Sequence, residues 1–353
     1  MAEQVSIEAI QAPLETPANG PSNGTANGNG AAPAARAFVR DLVEGEDVAA
    51  VFAVRERERR SRRNGEDFLR LIVADCTGTV EVVAWDDVDD LFPLAEPGAV
   101  VRLEGRFSVH PQYGAKITLR SLHVADPGDY DQADLVEGPR VSLERLETEL
   151  RELVATIQSP DLHALLDRLL GEGTATWERF RDAPAAKYYH EAYTHGLLHH
   201  TVTMAQAVSA AASSFPGVNR DVAVTGALLH DIGKMQAYND DPLAIDLTDA
   251  GRLQGEIPLG YYMVRRAIES IDGFDRGLAQ AILHIILSHH GSYENGSPVV
   301  PATREATLVH AIDNLGGKLG SFDRIERELP DGEAWSRFDR GIDSAAYFPA
   351  RAA

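Results

Sequence analysis

Between Asp47 and Val124 the apolar positions fall in short runs separated by turn residues. Asp47 to Val54 forms the first run, and an arginine cluster follows it. Phe68, Leu69, Leu71, Ile72 and Val73 form the second, closed by Asp75-Cys76-Thr77-Gly78. Thr79 to Trp85 is β-branched and alternates between apolar and polar positions. Ala99 to Phe107 and Lys116 to Val124 complete the set, with Tyr113-Gly114 between them. Asn64-Gly65 and Thr77-Gly78 are turn signals. Five short strands and a helical stretch near Val88 to Leu94 predict a small closed all-β barrel over residues 36–125.

The period then changes. Residues 126–140 hold Pro127, Gly128, Gly138 and Pro139 among acids and read as a linker. From Ser142, a candidate N-cap, Leu143, Leu146, Leu150 and Leu153 recur at helical spacing. Helical patterns continue to about Leu329, so residues 141–330 read as an all-α domain. Residues 331–353 read as a loosely structured end. Residues 1–35 are rich in Ala, Asn, Gly and Pro and cannot bury enough apolar surface to offset ordering entropy, which predicts a disordered tail. The fold class is therefore multi-domain, an all-β barrel followed by an all-α unit.

Length and composition agree with this division. A chain of 353 residues suggests about two domains. No apolar run reaches the length of about 18 residues that crosses a bilayer. The first 35 residues carry no Lys or Arg and no apolar core, so no secretory signal is expected. The single cysteine, Cys76, excludes an intrachain disulfide and fits a reducing, cytoplasmic setting. Net charge is −21, from 33 basic and 54 acidic residues. Residues 36–125 carry 13 basic and 16 acidic residues, a net −3, whereas residues 126–353 carry 20 and 35, a net −15. The barrel is thus the less repulsive half for a polyanion. An acidic helical half that handles phosphates needs bound cations to invert its local field.

Nine of the 12 histidines lie between His190 and His310. A lone buried histidine is usually a satisfied core residue, so spacing has to decide. On a helix from about Gly196 to Ala212, Leu197, His200, Met204 and Val208 share one stripe, which turns His200 inward. His199 lies roughly 100° away. Ala223, Ala227 and His230 share a stripe on the next helix, and Asp231 follows directly. The apolar helix from Ala281 ends in His289-His290, and a later one places Ala306, Val309 and Asp313 on one side. Inward polar groups on four apolar helices are costly unless they share a partner. Imidazole and carboxylate together suit a transition cation.

Through Leu228-Leu229-His230-Asp231-Ile232-Gly233-Lys234, the stretch from His190 to Lys318 resembles HD-domain metal-dependent phosphohydrolases. Their order of His, His-Asp and a distant Asp matches His200, His230-Asp231 and Asp313, and Lys234 matches a lysine that often follows. Leu287-Ser288-His289-His290-Gly291, Asn295-Gly296-Ser297-Pro298 and Glu305-Ala306 through Asp313 sharpen this to a resemblance to YhaM-type 3′→5′ exoribonucleases, which join an N-terminal OB fold to an HD domain. The resemblance covers about residues 36 to 320. It implies hydrolysis of single-stranded RNA, with DNA left open, to nucleoside monophosphates. It also implies one or two divalent ions, Mn²⁺ first, with Co²⁺, Fe²⁺ or Mg²⁺ open. His200, His230, Asp231 and Asp313 would hold the first ion. Asp231 would bridge to a second held by His289, His290 and Glu256, while Lys234 steadies the phosphate or the leaving oxygen.

Two positions depart from the family pattern. Glu256 stands where related enzymes usually carry histidine, and reads either as a harder ligand or as a helix-start acid. Glu191 stands where a second histidine often follows His190.

Residues 55–63 hold six arginines against two glutamates. They read either as a solvated hairpin tip or as a phosphate-contacting loop between the first two strands, where OB folds bind oligonucleotides. The second reading makes Arg55, Arg57, Arg59, Arg60, Arg62 and Arg63 binding residues. Trp85 and Tyr113 are the candidates for base stacking, while Phe68 and Phe107 are expected in the core. The expected partner is single-stranded RNA or DNA, with no membrane; oligomeric state, including a homo-oligomer, is open. Two other readings remain at this stage, an HD phosphodiesterase on a small nucleotide and a non-catalytic nucleic-acid-binding protein.

Overall fold

The computed structural model describes residues 37–62, 64–110, 114–136, 138–139, 141–187, 191–329 and 332–349; within these, the side chains of Arg327 and Glu328 are set aside. The expected tail at 1–35 lies outside the described residues, as do Arg63 and Tyr113.

Five strands close into a barrel: β1 (Asp47–Ser61), β2 (Asp67–Asp75), β3 (Gly78–Ala84), β4 (Val100–His110) and β5 (Gly114–Val124). Their order around the barrel is β1-β2-β3-β5-β4. β3 and β5 run parallel and the other pairs antiparallel. A short helix α1 (Val88–Leu91) covers the gap between β3 and β4 in the chain. Phe52, Leu69, Leu71, Val82, Leu103 and Ile117 are fully buried inside. The alternation read from the sequence is therefore the inward period of these strands.

Three features differ from the sequence-based expectation. First, β1 does not stop at Val54. Its first half pairs with β4 and its second half, arginines included, pairs with β2. Charged residues are compatible with a strand whose flank faces water, and here they alternate with glutamates. Arg62 lies just past β1, so Arg55 to Arg60 are part of the barrel wall rather than of a loop. Second, Phe68 is half-buried, with its ring 5.1 Å from that of Trp85, whereas Phe107 is buried as expected. Third, the segment after β5 is tied to the barrel. Leu135 is buried with Ala53, Val100 and Ala125, and the Asp134 carbonyl accepts the Cys76 N–H at 2.8 Å.

The helical part contains α2 (Leu143–Ala155), α3 (Pro160–Leu170), α4 (Ala175–Asp182), α5 (Gly196–Ala212), α6 (Arg220–Leu229), α7 (Lys234–Ala237), α8 (Asp249–Gln254), α9 (Glu256–Glu269), α10 (Arg276–Ser288) and α11 (Arg304–Glu328). Ser142 caps α2 by accepting the Arg145 N–H, and Ser159, Thr174, Asn219, Asp275 and Thr303 cap five further helices in the same way. α5, α6 and α10 contribute Leu198, Val202, Ala227, Leu229, Ile282 and Ile285, all fully buried, to one core. The chain end is not loose: β6 (Trp335–Asp339) and β7 (Ser344–Tyr347) form a hairpin. Arg324 of α11 holds it by an ion pair to Asp339 at 2.7 Å.

The barrel meets the helical part through the α7–α8 connection. The register of β1 on β2 shifts between Val54 and Glu56, a β-bulge at Arg55. A bulge re-aims the side chain it carries. Arg55 Nη1 donates to the Pro242 carbonyl at 2.7 Å, and Leu243 packs on the Ala53–Leu135 cluster.

Candidate metal centre and nucleic-acid face

Three helix ends and one helix face bring these histidines and aspartates together. His200 lies one turn into α5, His230 and Asp231 just past the end of α6, His289 and His290 just past α10, and Asp313 within α11. Gly233 makes the close approach of the α9 start possible, since a Cβ there would sit 2.0 Å from the Glu256 carbonyl oxygen.

Each imidazole is held by its Nδ1. That of His230 meets the Ala227 carbonyl at 2.7 Å, that of His289 the Ile286 carbonyl at 2.7 Å, and that of His290 the Asn295 carbonyl at 3.0 Å. Nδ1 of His200 meets Glu191 Oε2 at 3.0 Å. A carbonyl or carboxylate only accepts, so each Nδ1 carries the proton and Nε2 is left to turn inward. His200 Nε2 lies 3.3 Å from His230 Nε2, 3.3 Å from Asp231 Oδ2 and 3.2 Å from Asp313 Oδ1. His289 Nε2 lies 3.4 Å from Asp231 Oδ1, and His290 Nε2 lies 3.7 Å from Glu256 Oε1. Lys234 Nζ stands 2.7 Å from Asp231 Oδ2.

Two sets of donor atoms each converge within 4.8 Å: His200, His230 and Asp313, and Asp231, His289 and His290. Asp231 Oδ1 and His289 Nε2 are buried and make no hydrogen bond. Buried polar atoms left in this way call for a partner such as an ion, and the donors are nitrogen and carboxylate oxygen, the set a divalent transition cation takes. Nδ1 anchoring of the ligating rings is likewise the pattern of histidines around metals. The residues therefore fit one or two cations.

Burial and the charged neighbours shift the titration of these groups in opposite directions. Burial alone would push the His200 imidazole down, but Asp231, Asp313 and Glu191 outweigh it and raise its pKa well above the usual range. Burial opposes and Asp231 and Asp313 raise His230, to about 9. Burial would raise Asp231, yet Lys234, His230 and His200 hold its carboxyl well below the usual range. Asp313 is held down, against burial, by His200 and His230. His290 moves the other way, lowered by burial and by its neighbour His289.

The expected site residues of the helical part thus stand together. Glu256 is the first residue of α9 and its Oε1 lies 3.7 Å from His290 Nε2, while it belongs to neither converging set of donors among the described residues. Glu191 had appeared only as a departure from a pattern, yet its carboxylate is the partner of His200. It sits in a connection, at φ +62°, where no periodicity marks it.

On the barrel the arginines diverge. Arg57 donates to the Phe92 carbonyl and lies 3.9 Å over the Phe92 ring. Arg59 pairs with Asp89 at 2.8 Å and Arg60 with Glu58 at 2.8 Å. Arg55 points to the helical part, as described above. Arg62 donates to the Trp85 carbonyl at 2.7 Å and stands 4.5 Å from the centre of its ring. Lys116 of β5 approaches the same ring at 5.7 Å. Phe68, Trp85, Arg62 and Lys116 therefore form one aromatic and cationic patch across β2, β3 and β5.

A closed barrel of this strand order, followed by helices that assemble a His-Asp cluster, defines an OB-fold and HD-domain protein. Residues 50–125 match the OB-fold nucleic acid binding domain and residues 197–317 match the HD domain. The 3′-5′ exoribonuclease YhaM of Geobacillus sp. (strain WCH70) is 30% identical over 295 residues, covering 83% of this chain and 89% of that protein. The YhaM of Bacillus subtilis (strain 168) is 28% identical, covering 83% and 92%. The chain belongs to the YhaM 3′-5′ exoribonuclease family. Among solved structures, the second OB-fold domain of replication protein A from Methanococcus maripaludis is similar to part of it, at 16% identity over 25% of this chain and 93% of that one, with a TM-score of 0.22.

Proposed function

We propose that this protein is a metal-dependent 3′→5′ exoribonuclease: the barrel holds single-stranded RNA and the His-Asp cluster hydrolyses the terminal phosphodiester. The observation that carries the reading is the convergence of four Nδ1-anchored imidazoles on Asp231 and Asp313, in a chain that also presents the Phe68–Trp85 patch.

His200, His230 and Asp313 would hold one ion. Asp231, His289 and His290 would hold a second, with Glu256 placed to join them. A divalent cation there supplies Lewis acidity to a phosphoryl oxygen and acidifies water for attack. Asp231 faces both donor sets through its two oxygens and would be shared between them. Lys234, buried against Asp231, keeps that carboxylate ionised and offers a positive charge to the phosphate. Water adds to phosphorus, the P–O3′ bond breaks, and the departing 3′-oxygen takes a proton, which releases a nucleoside monophosphate. Glu191 keeps the His200 ring in one tautomer.

The RNA track begins on the barrel. Bases stack on Trp85 and Phe68, while Arg62, Lys116, Arg59 and Arg60 meet phosphates. Exposed ion pairs such as Arg59–Asp89 are worth little, about 0–1 kcal/mol, so they exchange readily for a phosphate contact. We take Mn²⁺ as the ion and the cytoplasm as the setting, in keeping with a single cysteine.

The test is a digest of 5′-labelled single-stranded RNA by the full chain, with chelator or with Mn²⁺. Stepwise shortening that requires the metal is expected. No hydrolysis of RNA, or hydrolysis of small nucleotides alone, would overturn the reading.

A further inference from the structure

We propose that His310 is a positioning residue that fixes the distance between the two halves of the metal cluster. The proposal rests on reading that cluster as a metal centre. His310 belongs to neither set of converging donors among the described residues. Its Nδ1 instead lies 2.7 Å from the carbonyl oxygen of His289, 21 residues away in the chain. That carbonyl belongs to the C-cap residue just past α10, where helical carbonyls lack N–H partners of their own. Because a carbonyl only accepts, His310 donates. A side chain of α11 therefore holds the backbone between His289 and His290, two residues whose Nε2 atoms face the second ion site.

The same helix carries Asp313, three residues further on and so on the same face. α11 thus supplies a ligand to the first set of donors and a backbone anchor to the second, one turn apart. Independently, the chain is shaped to receive this ring. Gly291 has φ +83°, which favours glycine, and a Cβ there would lie 2.0 Å from His310 Cε1. The imidazole lies against the bare backbone of Gly291, immediately beyond the two ligands it aligns. Both the donor and the space identify the ring as part of the support of the site, held at one position by two unrelated features.

Asparagine can place its Nδ2–H₂ near the position of the histidine Nδ1–H, whereas phenylalanine fills the slot without donating. The experiment is a calorimetric titration of the full-length, metal-stripped chain with Mn²⁺, with melting followed on the same samples, for wild type, His310→Asn, His310→Phe and His310→Ala. Outer partners of metal ligands typically change affinity 10–100-fold. We expect His310→Phe and His310→Ala to weaken the Asp231–His289–His290 site by that factor and His310→Asn to stay within about threefold of wild type, below that range. If His310→Ala does not fold, the Phe and Asn pair carries the comparison. Wild-type affinity in His310→Phe, or an equal loss in the Asn and Phe variants, overturns the positioning role. A wild-type chain that binds no Mn²⁺ overturns the metal reading itself, and is distinguished by the wild-type titration alone.

Discussion

The carboxylate of Glu191 accepts a hydrogen bond from His200 Nδ1 at 3.0 Å, and this contact turns the other ring nitrogen toward Asp231 and Asp313. An acidic residue in a left-handed bend thereby sets the tautomer of a buried histidine on the neighbouring helix. Glutamate at this position supports the His200 ring from behind.

Replacing Glu191 with Ala is expected to lower Mn²⁺ affinity about 10–100-fold, the usual cost of losing an outer partner. Glu191→Gln keeps an acceptor without the charge and should fall between Ala and wild type. Calorimetric titration of the three proteins checks both statements. An Ala variant with unchanged affinity removes Glu191 from the support of the site.

Asp231→Ala is expected to abolish RNA hydrolysis and to reduce bound metal, while the far-ultraviolet circular dichroism stays that of a folded chain. The carboxylate faces His200, His230, His289 and Lys234 together. Metal analysis alongside the digest is the check, and near-normal activity with full metal content would contradict the assignment.

On the barrel, Trp85→Ala is expected to weaken binding of a long single-stranded RNA by about 1–3 kcal/mol, the usual worth of one stacked base. Cleavage of a dinucleotide should be spared, because it does not reach the patch. Lys116→Ala should reduce the salt dependence of binding by close to one phosphate contact. Fluorescence anisotropy at several salt concentrations measures both, and equal losses on short and long substrates would place the patch off the track.

The metal-free chain should lose stability in alkali. Burial lowers His230, but Asp231 and Asp313 raise it to about 9, above the unfolded value of 6.5. A group raised in the folded state contributes stability that is complete below its unfolded pKa and is lost as pH rises through its folded one. The melting temperature of the chelated chain should therefore fall between pH 6.5 and about 9. Added Mn²⁺ should abolish the fall, since a cation replaces the protons, and it should bind more tightly as pH rises. A chelated chain with a flat profile over this interval would show that the imidazoles are not charged.

The barrel strands and the helical stripes were legible because burial imposes a period, and His200, His230 and Asp313 each sat on such a stripe. Where burial imposes none, the sequence was silent. The charged half of β1 carries no apolar alternation, so its pairing with β2 could not be read from Arg57, Arg59 or Arg60. Trp335, Phe338 and Tyr347 are exposed in the terminal hairpin, which leaves no inward face to recognise. Glu191 lies in a connection, where only three-dimensional proximity gives it meaning. His310 was one histidine among nine until its carbonyl partner was seen.

Anchoring every ring of the cluster by its Nδ1 has a kinetic and entropic consequence. A histidine free to rotate must be ordered when a cation arrives, and each rotamer-rich side chain immobilised on binding typically costs about 0.5–1.5 kcal/mol. Here the Nδ1 partners of His200, His230, His289 and His290 are groups of the chain itself, so folding meets that cost. Capture of the cation then requires the exchange of protons and little rearrangement of the chain.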